Sequence, residues 1–259
     1  MIYSSAEMMT VAAARALSDR DICFVGIGLP SAACNLARLT HAPRVSLIYE
    51  SGTLETKPNV LPLSIGDGEL CETALTTVSI PEIFRYWLQG GRITVGFLSG
   101  AQVDRFGNLN STVIGDYHRP KVRLPGSGGA TEIAASCGQI FLIMRHHPRS
   151  FVKRLDFLTT LGHGRNGRER QELGIQTKGP TLLVTDLCTM RPDRETNEMA
   201  VASLHPGITR EQVRENTGWE VRFGSEVLET PPPTASELEV LRALHARTAL
   251  AHGGEAGSE

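Results

Sequence analysis

The sequence has few cysteines, and they are poorly placed for cross-linking. The five (Cys23, Cys34, Cys71, Cys137 and Cys188) are odd in number, far apart and form no C-x-x-C. That argues against a disulfide framework or a zinc site and for a reducing compartment. The chain does not open with a basic segment followed by an apolar run, so no secretory signal is expected. No apolar run approaches the roughly 20 residues that a membrane span requires. Neither sign of charge dominates: Lys+Arg 26 stand against Asp+Glu 28 in 259 residues, for a net charge of −2. Nucleic acid and anionic membrane are therefore not expected partners. Gly-x-Ser-x-Gly, H-E-x-x-H, Walker A and EF-hand patterns are also missing, so no hydrolase elbow, metal site or nucleoside-triphosphate site is expected. A cytoplasmic globular protein remains, long enough to bury roughly 70–75% of the surface its unfolded chain exposes.

Short apolar runs alternate with helical patterns. Met8 to Leu17 is rich in helix formers, and Met9, Ala13 and Leu17 fall on one face. Ile22 to Gly28 is an apolar run ended by glycine, Ser31 to Leu39 reads as a helix, and Val45 to Tyr49 as a strand. Ile80 to Gln89 reads as a helix stopped by Gly90-Gly91. Ile93 to Leu98, Ile140 to Met144 and Thr181 to Thr185 read as buried strands. This alternation predicts an α/β fold, with an open, mostly parallel sheet and helices on both faces. Two long loops, Gly52 to Glu72 and Gly115 to Glu132, exceed the ~12–15 residues common for structureless connections, so they are expected to be functional. Pro231-Pro-Pro233 precedes an amphipathic helix from Thr234 to Ala251, with Thr234 or Ser236 as its cap. One domain is expected over residues 1–252, followed by a disordered tail at 253–259.

Glu50 directly follows an apolar strand and precedes Ser-Gly. It therefore sits at the carboxyl end of that strand, where open α/β sheets bind ligands. A carboxylate there is either a nucleophile or a cap on the next turn. Gly126-Ser-Gly-Gly-Ala130 precedes a helix start and can aim backbone N–H groups at an oxyanion, or it can simply make a tight turn. Gly26-Ile-Gly28 follows a strand, with Glu50 about twenty residues on, a weak echo of a dinucleotide fold in which Pro30 and Ser31 replace the third glycine. Asp104 to Asn110 has turn chemistry, and Asn108 can either serve that turn or point at a substrate carbonyl. His146-His147 before Pro148 read as solvated loop residues, and His118 has no acid partner that would make a triad.

Together, Glu50-Ser-Gly, Gly90-Gly-Arg92, Gly100 to Asn110, Gly115-Asp-Tyr-His118 and Gly126-Ser-Gly-Gly-Ala130 resemble the B (β) subunits of family I CoA-transferases, in the branch that includes glutaconate CoA-transferase. Cys23 to Pro30, Leu61 to Glu69, Ile83 to Gly91, Leu155-Asp-Phe157 and Gly162-His-Gly164 bring the likeness nearest to members that move CoA from succinyl-CoA to 3-oxoadipate, with glutaconate or another dicarboxylate as the alternative acceptor. The resemblance implies the fold of a CoA-transferase β subunit and makes Glu50 the nucleophile. It places Gly26, Asn108, Gly128, Gly129 and Ala130 at the oxyanion and CoA. It implies no permanently bound cofactor, with coenzyme A acting as substrate and covalent intermediate. It also implies a separate A (α) subunit as partner in a heterotetramer or larger assembly. Relatives acting as hydrolases or decarboxylases on CoA esters lack this glutamate, whereas this chain keeps it. A non-catalytic ligand-binding protein on a related fold, as in sugar-phosphate-responsive regulators, is the reading of another class.

Overall fold

A computed structural model describes residues 2–253 of the protein. The expected single domain divides into two compact units, Met1–Ile93 with Pro232–Glu259, and Thr94–Pro231. Of the expected tail, residues 254–259 lie outside the described residues. The main elements run α1 (Ser5–Ala14), β1 (Ile22–Phe24), α2 (Leu29–Leu39), β2 (Ser46–Ile48), β3 (Val95–Leu98), α3 (Ala130–Ser136), β4 (Gln139–Ile143), β5 (Pro180–Val184), β6 (Cys188–Pro192), β7 (Met199–Leu204), β8 (Arg222–Glu229) and α4 (Ala235–Ala251).

In the first unit β1 and β2 pair in parallel, Phe24 opposite Ile48, and α1, α2 and α4 pack against one another. Every residue of α1 from Met8 to Ala14 is buried, so this helix needs no polar face. Ser4 caps α1 and Thr234 caps α4, each in a reciprocal box with the glutamate three residues on. Those two glutamates also brace the helices against each other, because Arg242 grips Glu7 at 2.6 Å and Arg15 grips Glu237 at 2.7 Å. Ile80 to Gln89 is helical as expected, but after one turn it widens into a π-helix over Ile83–Leu88. The Gln89 and Arg92 N–H groups reach back five residues to the Phe84 and Trp87 carbonyls. A side chain at Gly90 would strike the Tyr86 carbonyl oxygen at 2.2 Å, so this stop needs glycine. Phe84 packs edge-on to Phe24, and Arg92 lies over the Trp87 ring.

In the second unit β3, β4 and β5 are parallel, β6 and β7 continue antiparallel, and β8 runs parallel to β7. Four of the six main pairings in the two units are parallel, which bears out the mostly parallel α/β class. Helix α3 lies close on β3 because residue 96 is glycine: a Cβ there would meet Cys137 Sγ at 2.7 Å and Ile133 Cγ2 at 2.8 Å. The two long loops are partly structured, by Thr53–Leu54 and Gly68–Glu72 in one and by a hairpin of Val113–Gly115 with Pro120–Arg123 in the other.

The solvated reading of His146 is corrected. His147 is exposed, but His146 is buried, stacked on Phe151 at 3.7 Å and hydrogen-bonded to the Thr185 and Thr217 hydroxyls. Burial pushes its imidazole from the ordinary 6.5 down to about 4, and also holds His163 and His205 down. Below about pH 6.5 the unfolded chain takes up a proton that folded His146 refuses. Stability therefore falls as the pH drops from about 6.5 to about 4 and levels off below, by about 3 kcal/mol from His146. Urea unfolding at about pH 7 and about pH 4.5 should show this loss, and His146→Gln should make the fall shallower.

Candidate active site

The strand that carries Glu50 ends in a tight reversal. The Gly52 N–H donates to the Tyr49 carbonyl at 3.0 Å, and the Tyr49 N–H donates to the Thr53 carbonyl at 3.2 Å. Glu50 and Ser51 are the two corner residues of that turn. Gly52 has φ +102°, and a Cβ on it would stand 2.0 Å from the Val78 carbonyl oxygen, while its own carbonyl accepts the Val78 N–H at 2.9 Å. Only glycine closes this turn. Glu50 is half-buried, and among the described residues its carboxylate has no hydrogen-bond or ion-pair partner. It does not cap the turn, whose closure is made by the backbone alone. Ser51 Oγ and Thr53 Oγ1 beside it are buried without a partner among the described residues.

Gly26 leaves the neighbouring strand at the same end. The last ladder bond runs from the Val25 N–H to the Ile48 carbonyl at 2.9 Å, so Gly26 and Glu50 lie one and two residues beyond it. Among the described residues the Gly26 N–H has no acceptor. Gly28, with φ +81°, then caps α2 without a side chain. The structure thus brings Glu50 together with a free backbone donor.

In the second unit, Gly126 is fastened to Ser111 by two bonds, its N–H to the Ser111 carbonyl at 2.9 Å and the Ser111 hydroxyl to its carbonyl at 2.8 Å. Gly126 (φ +102°) and Gly128 (φ +48°) take left-handed conformations. A turn closed by the Ala130 N–H on the Ser127 carbonyl leads into α3, with Gly129 as its cap. Among the described residues the N–H groups of Gly128 and Gly129 have no acceptor. The hairpin that precedes this segment carries His118 on its exposed tip, where its backbone N–H donates to Asp116 Oδ1 at 2.9 Å and, among the described residues, its imidazole pairs with no carboxylate.

Asn108 is not part of that glycine segment, and the structure places its amide in the turn that begins at Asp104. Its Nδ2 donates to both Asp104 carboxylate oxygens, at 3.1 and 2.8 Å, and to the Gly164 carbonyl at 3.1 Å. Its Oδ1 accepts the N–H groups of Gly162 and Gly164 at 2.8 and 3.1 Å. Both amide hydrogens are engaged and the residue is buried, so no donor is left for a substrate. Burial raises the Asp104 carboxyl against the hydrogen bonds of Asn108 and Phe106 that lower it. A side chain at Gly162 would lie 2.5 Å from the Phe106 carbonyl oxygen. Asp104, Asn108 and Gly162 thus form a knot that holds two loop segments together. The sequence signal for it was the Asp-to-Asn spacing of four across Gly107.

The family model described as Coenzyme A transferase matches residues 6–216. The chain is 63% identical to the B subunit of the 3-oxoadipate CoA-transferase of Pseudomonas knackmussii, over 99% of each chain. It is 37% identical to the B subunit of the glutaconate CoA-transferase of Acidaminococcus fermentans, over 91% of each. The crystal structure of glutaconate coenzyme A-transferase from that organism superposes with a TM-score of 0.87 at 32% identity, covering 93% of this chain and 94% of the other.

Replacing Asn108 with alanine strands buried N–H groups of Gly162 and Gly164 and removes the partners of Asp104. Chemical denaturation of Asn108→Ala should show a loss of about 3 kcal/mol, which a donor engaged only by substrate would not produce.

Proposed function

The chain belongs to the coenzyme A transferase family, and from that premise we propose that it is the B (β) subunit of a 3-oxoadipate CoA-transferase, moving CoA from succinyl-CoA to 3-oxoadipate in the breakdown of aromatic compounds. The observation that carries the chemistry is Glu50: a half-buried carboxylate with no partner among the described residues, at the corner of a backbone-closed turn on a strand's carboxyl end. The substrate assignment rests on 63% identity over 99% of both chains, against 37% for the glutaconate relative.

The Glu50 carboxylate attacks the thioester carbonyl of succinyl-CoA. The carbon–sulfur bond breaks, CoA thiolate leaves, and a mixed anhydride joins succinate to Glu50. The thiolate then attacks the glutamyl carbonyl and expels succinate, which leaves a glutamyl–CoA thioester. The carboxylate of 3-oxoadipate repeats the two exchanges in reverse and restores Glu50. No proton need move, and the thioester's free energy stays in a covalent bond throughout. Water must be kept out, since it would hydrolyse the anhydride. Each attack places negative charge on a carbonyl oxygen. A backbone N–H suited to receive it is that of Gly26, such a donor contributing about 10²–10³ in rate; in the second unit the N–H groups of Gly128 and Gly129 also lack an acceptor among the described residues, while that of Ala130 is taken by the Ser127 carbonyl.

A separate A (α) subunit completes the enzyme in a heterotetramer or larger assembly, in keeping with a relative named as a subunit and matched end to end. Cytoplasmic residence fits five free cysteines, four of them buried, and among the described residues no helix is long and apolar enough to cross a membrane.

The chain co-expressed with its α subunit should convert succinyl-CoA and 3-oxoadipate to succinate and 3-oxoadipyl-CoA, with the parallel double-reciprocal lines of a ping-pong exchange. Glu50→Ala should assemble normally and lose about 10⁴-fold or more in kcat. Intersecting lines, or an active Glu50→Ala complex, would contradict the assignment.

A further inference from the structure

We infer that Tyr49 and Ser31 are positioning residues for the acyl exchange, and that the hydrogen bond between their hydroxyls sets where the Glu50 carboxylate stands relative to the Gly26 backbone. The inference rests on the reading of Glu50 as the nucleophile and goes beyond it, since neither residue touches the reacting atoms.

Tyr49 precedes Glu50, supplies the carbonyl on which the Glu50 turn closes, and is fully buried. Its phenol oxygen lies 2.8 Å from the Ser31 hydroxyl, which is also fully buried. Ser31 is in the first turn of α2, the helix that continues directly from Gly26-Ile-Gly28. One short bond therefore joins the two stretches of backbone that the site needs in register, the end of β2 with its nucleophile and the β1–α2 connection with its donor.

The same helix face also holds the chain beyond Glu50. Ser31, Asn35 and Arg38 stand four and three residues apart, on one side of α2. The Asn35 amide donates to the Ser31 carbonyl at 2.9 Å, and Arg38 donates to Asn35 Oδ1 at 3.0 Å and to the Pro58 carbonyl at 2.8 Å. Helix α2 thus grips the chain just before Glu50 through Tyr49 and downstream of it through Pro58. Packing asks only for an aromatic ring at position 49, which phenylalanine would supply. The hydroxyl adds a buried polar group that needs a partner, and what it provides is a fixed geometry. Burial pushes the phenol above its ordinary range, so it stays protonated and the bond persists across working pH.

The test uses the complex with the α subunit and compares wild type with Tyr49→Phe, Ser31→Ala and the double variant. Succinyl-CoA is mixed without acceptor and quenched at intervals, and the CoA thioester on this chain is followed by intact mass, beside kcat, KM and thermal melting. Misplacing a nucleophile by about 1 Å costs about 10²-fold. Thioester formation and kcat should accordingly fall about 10- to 10²-fold in each single variant, with KM for succinyl-CoA unchanged. The double variant should be no slower than either single one, because all three remove one shared bond. Ser31→Ala carries the same expectation should Tyr49→Phe fail to assemble. A folded Tyr49→Phe complex that forms thioester at the wild-type rate overturns the inference. So do single-variant losses that multiply in the double variant. Wild type that forms no thioester on this chain overturns the nucleophile reading, and this inference with it.

Discussion

The arrangement around Glu50 depends on residue 52 having no side chain. With a Cβ there the chain could not pass the Val78 carbonyl, the Tyr49–Gly52 turn could not close, and Glu50 would sit on an open loop. With glycine, the turn folds straight back into Thr53–Leu54, which pairs with Thr76–Thr77 and returns the chain against itself. Glu50 is thereby held at a corner between a buried strand and a short return strand, with its carboxylate free. A carboxylate that attacks a carbonyl and is later attacked itself, as proposed for Glu50, benefits from a backbone that does not move between the two events.

The irregular segments of the second unit meet a different constraint. Loop backbone that lacks a ladder must find partners elsewhere or remain exposed. Here buried side chains provide them. Asn108 satisfies Gly162 and Gly164 while Asp104 fixes Asn108 in turn. Arg170, buried with no carboxylate paired to it among the described residues, donates instead to the carbonyls of Ala134, Ala135, Leu161, Gly162 and Thr177. Burial lowers its guanidinium to about 10, a sign of how much solvation those carbonyls replace. Arg170 thereby ties the end of α3 to the Gly162 loop.

Much of this was legible in the sequence where a residue's role is decided by its neighbours along the chain. Ile22 to Gly28 and Val45 to Tyr49 read as strands because they are short, largely apolar runs, and Glu50 stood out because it directly follows one of them before Ser-Gly. Strands β6, β7 and β8 did not stand out: Arg191, Pro192 and Ser203 interrupt the first two, which pair antiparallel with at most alternate residues buried, and β8 has no buried residue. The helix at Ile80 was visible, but its widening to a π-helix was not. What local sequence cannot show is a partner far along the chain. His146-His147-Pro148 looks like solvated loop until Phe151, Thr185 and Thr217 enclose its first histidine. An asparagine aimed at substrate reads the same as one aimed at Asp104. Tyr49 and Ser31 are eighteen positions apart and meet only because β1 and β2 pair.

The proposed exchange requires Glu50 to become covalently bound to CoA. The most direct measurement treats the complex of this chain and its α subunit with succinyl-CoA in the absence of acceptor, reduces it with borohydride, and maps the peptides by mass spectrometry. The peptide containing Tyr49-Glu50-Ser51 should lose one oxygen and gain two hydrogens at Glu50, as its thioester is reduced to an alcohol. An unchanged Glu50 in a complex that still consumes the thioester would contradict the proposed exchange.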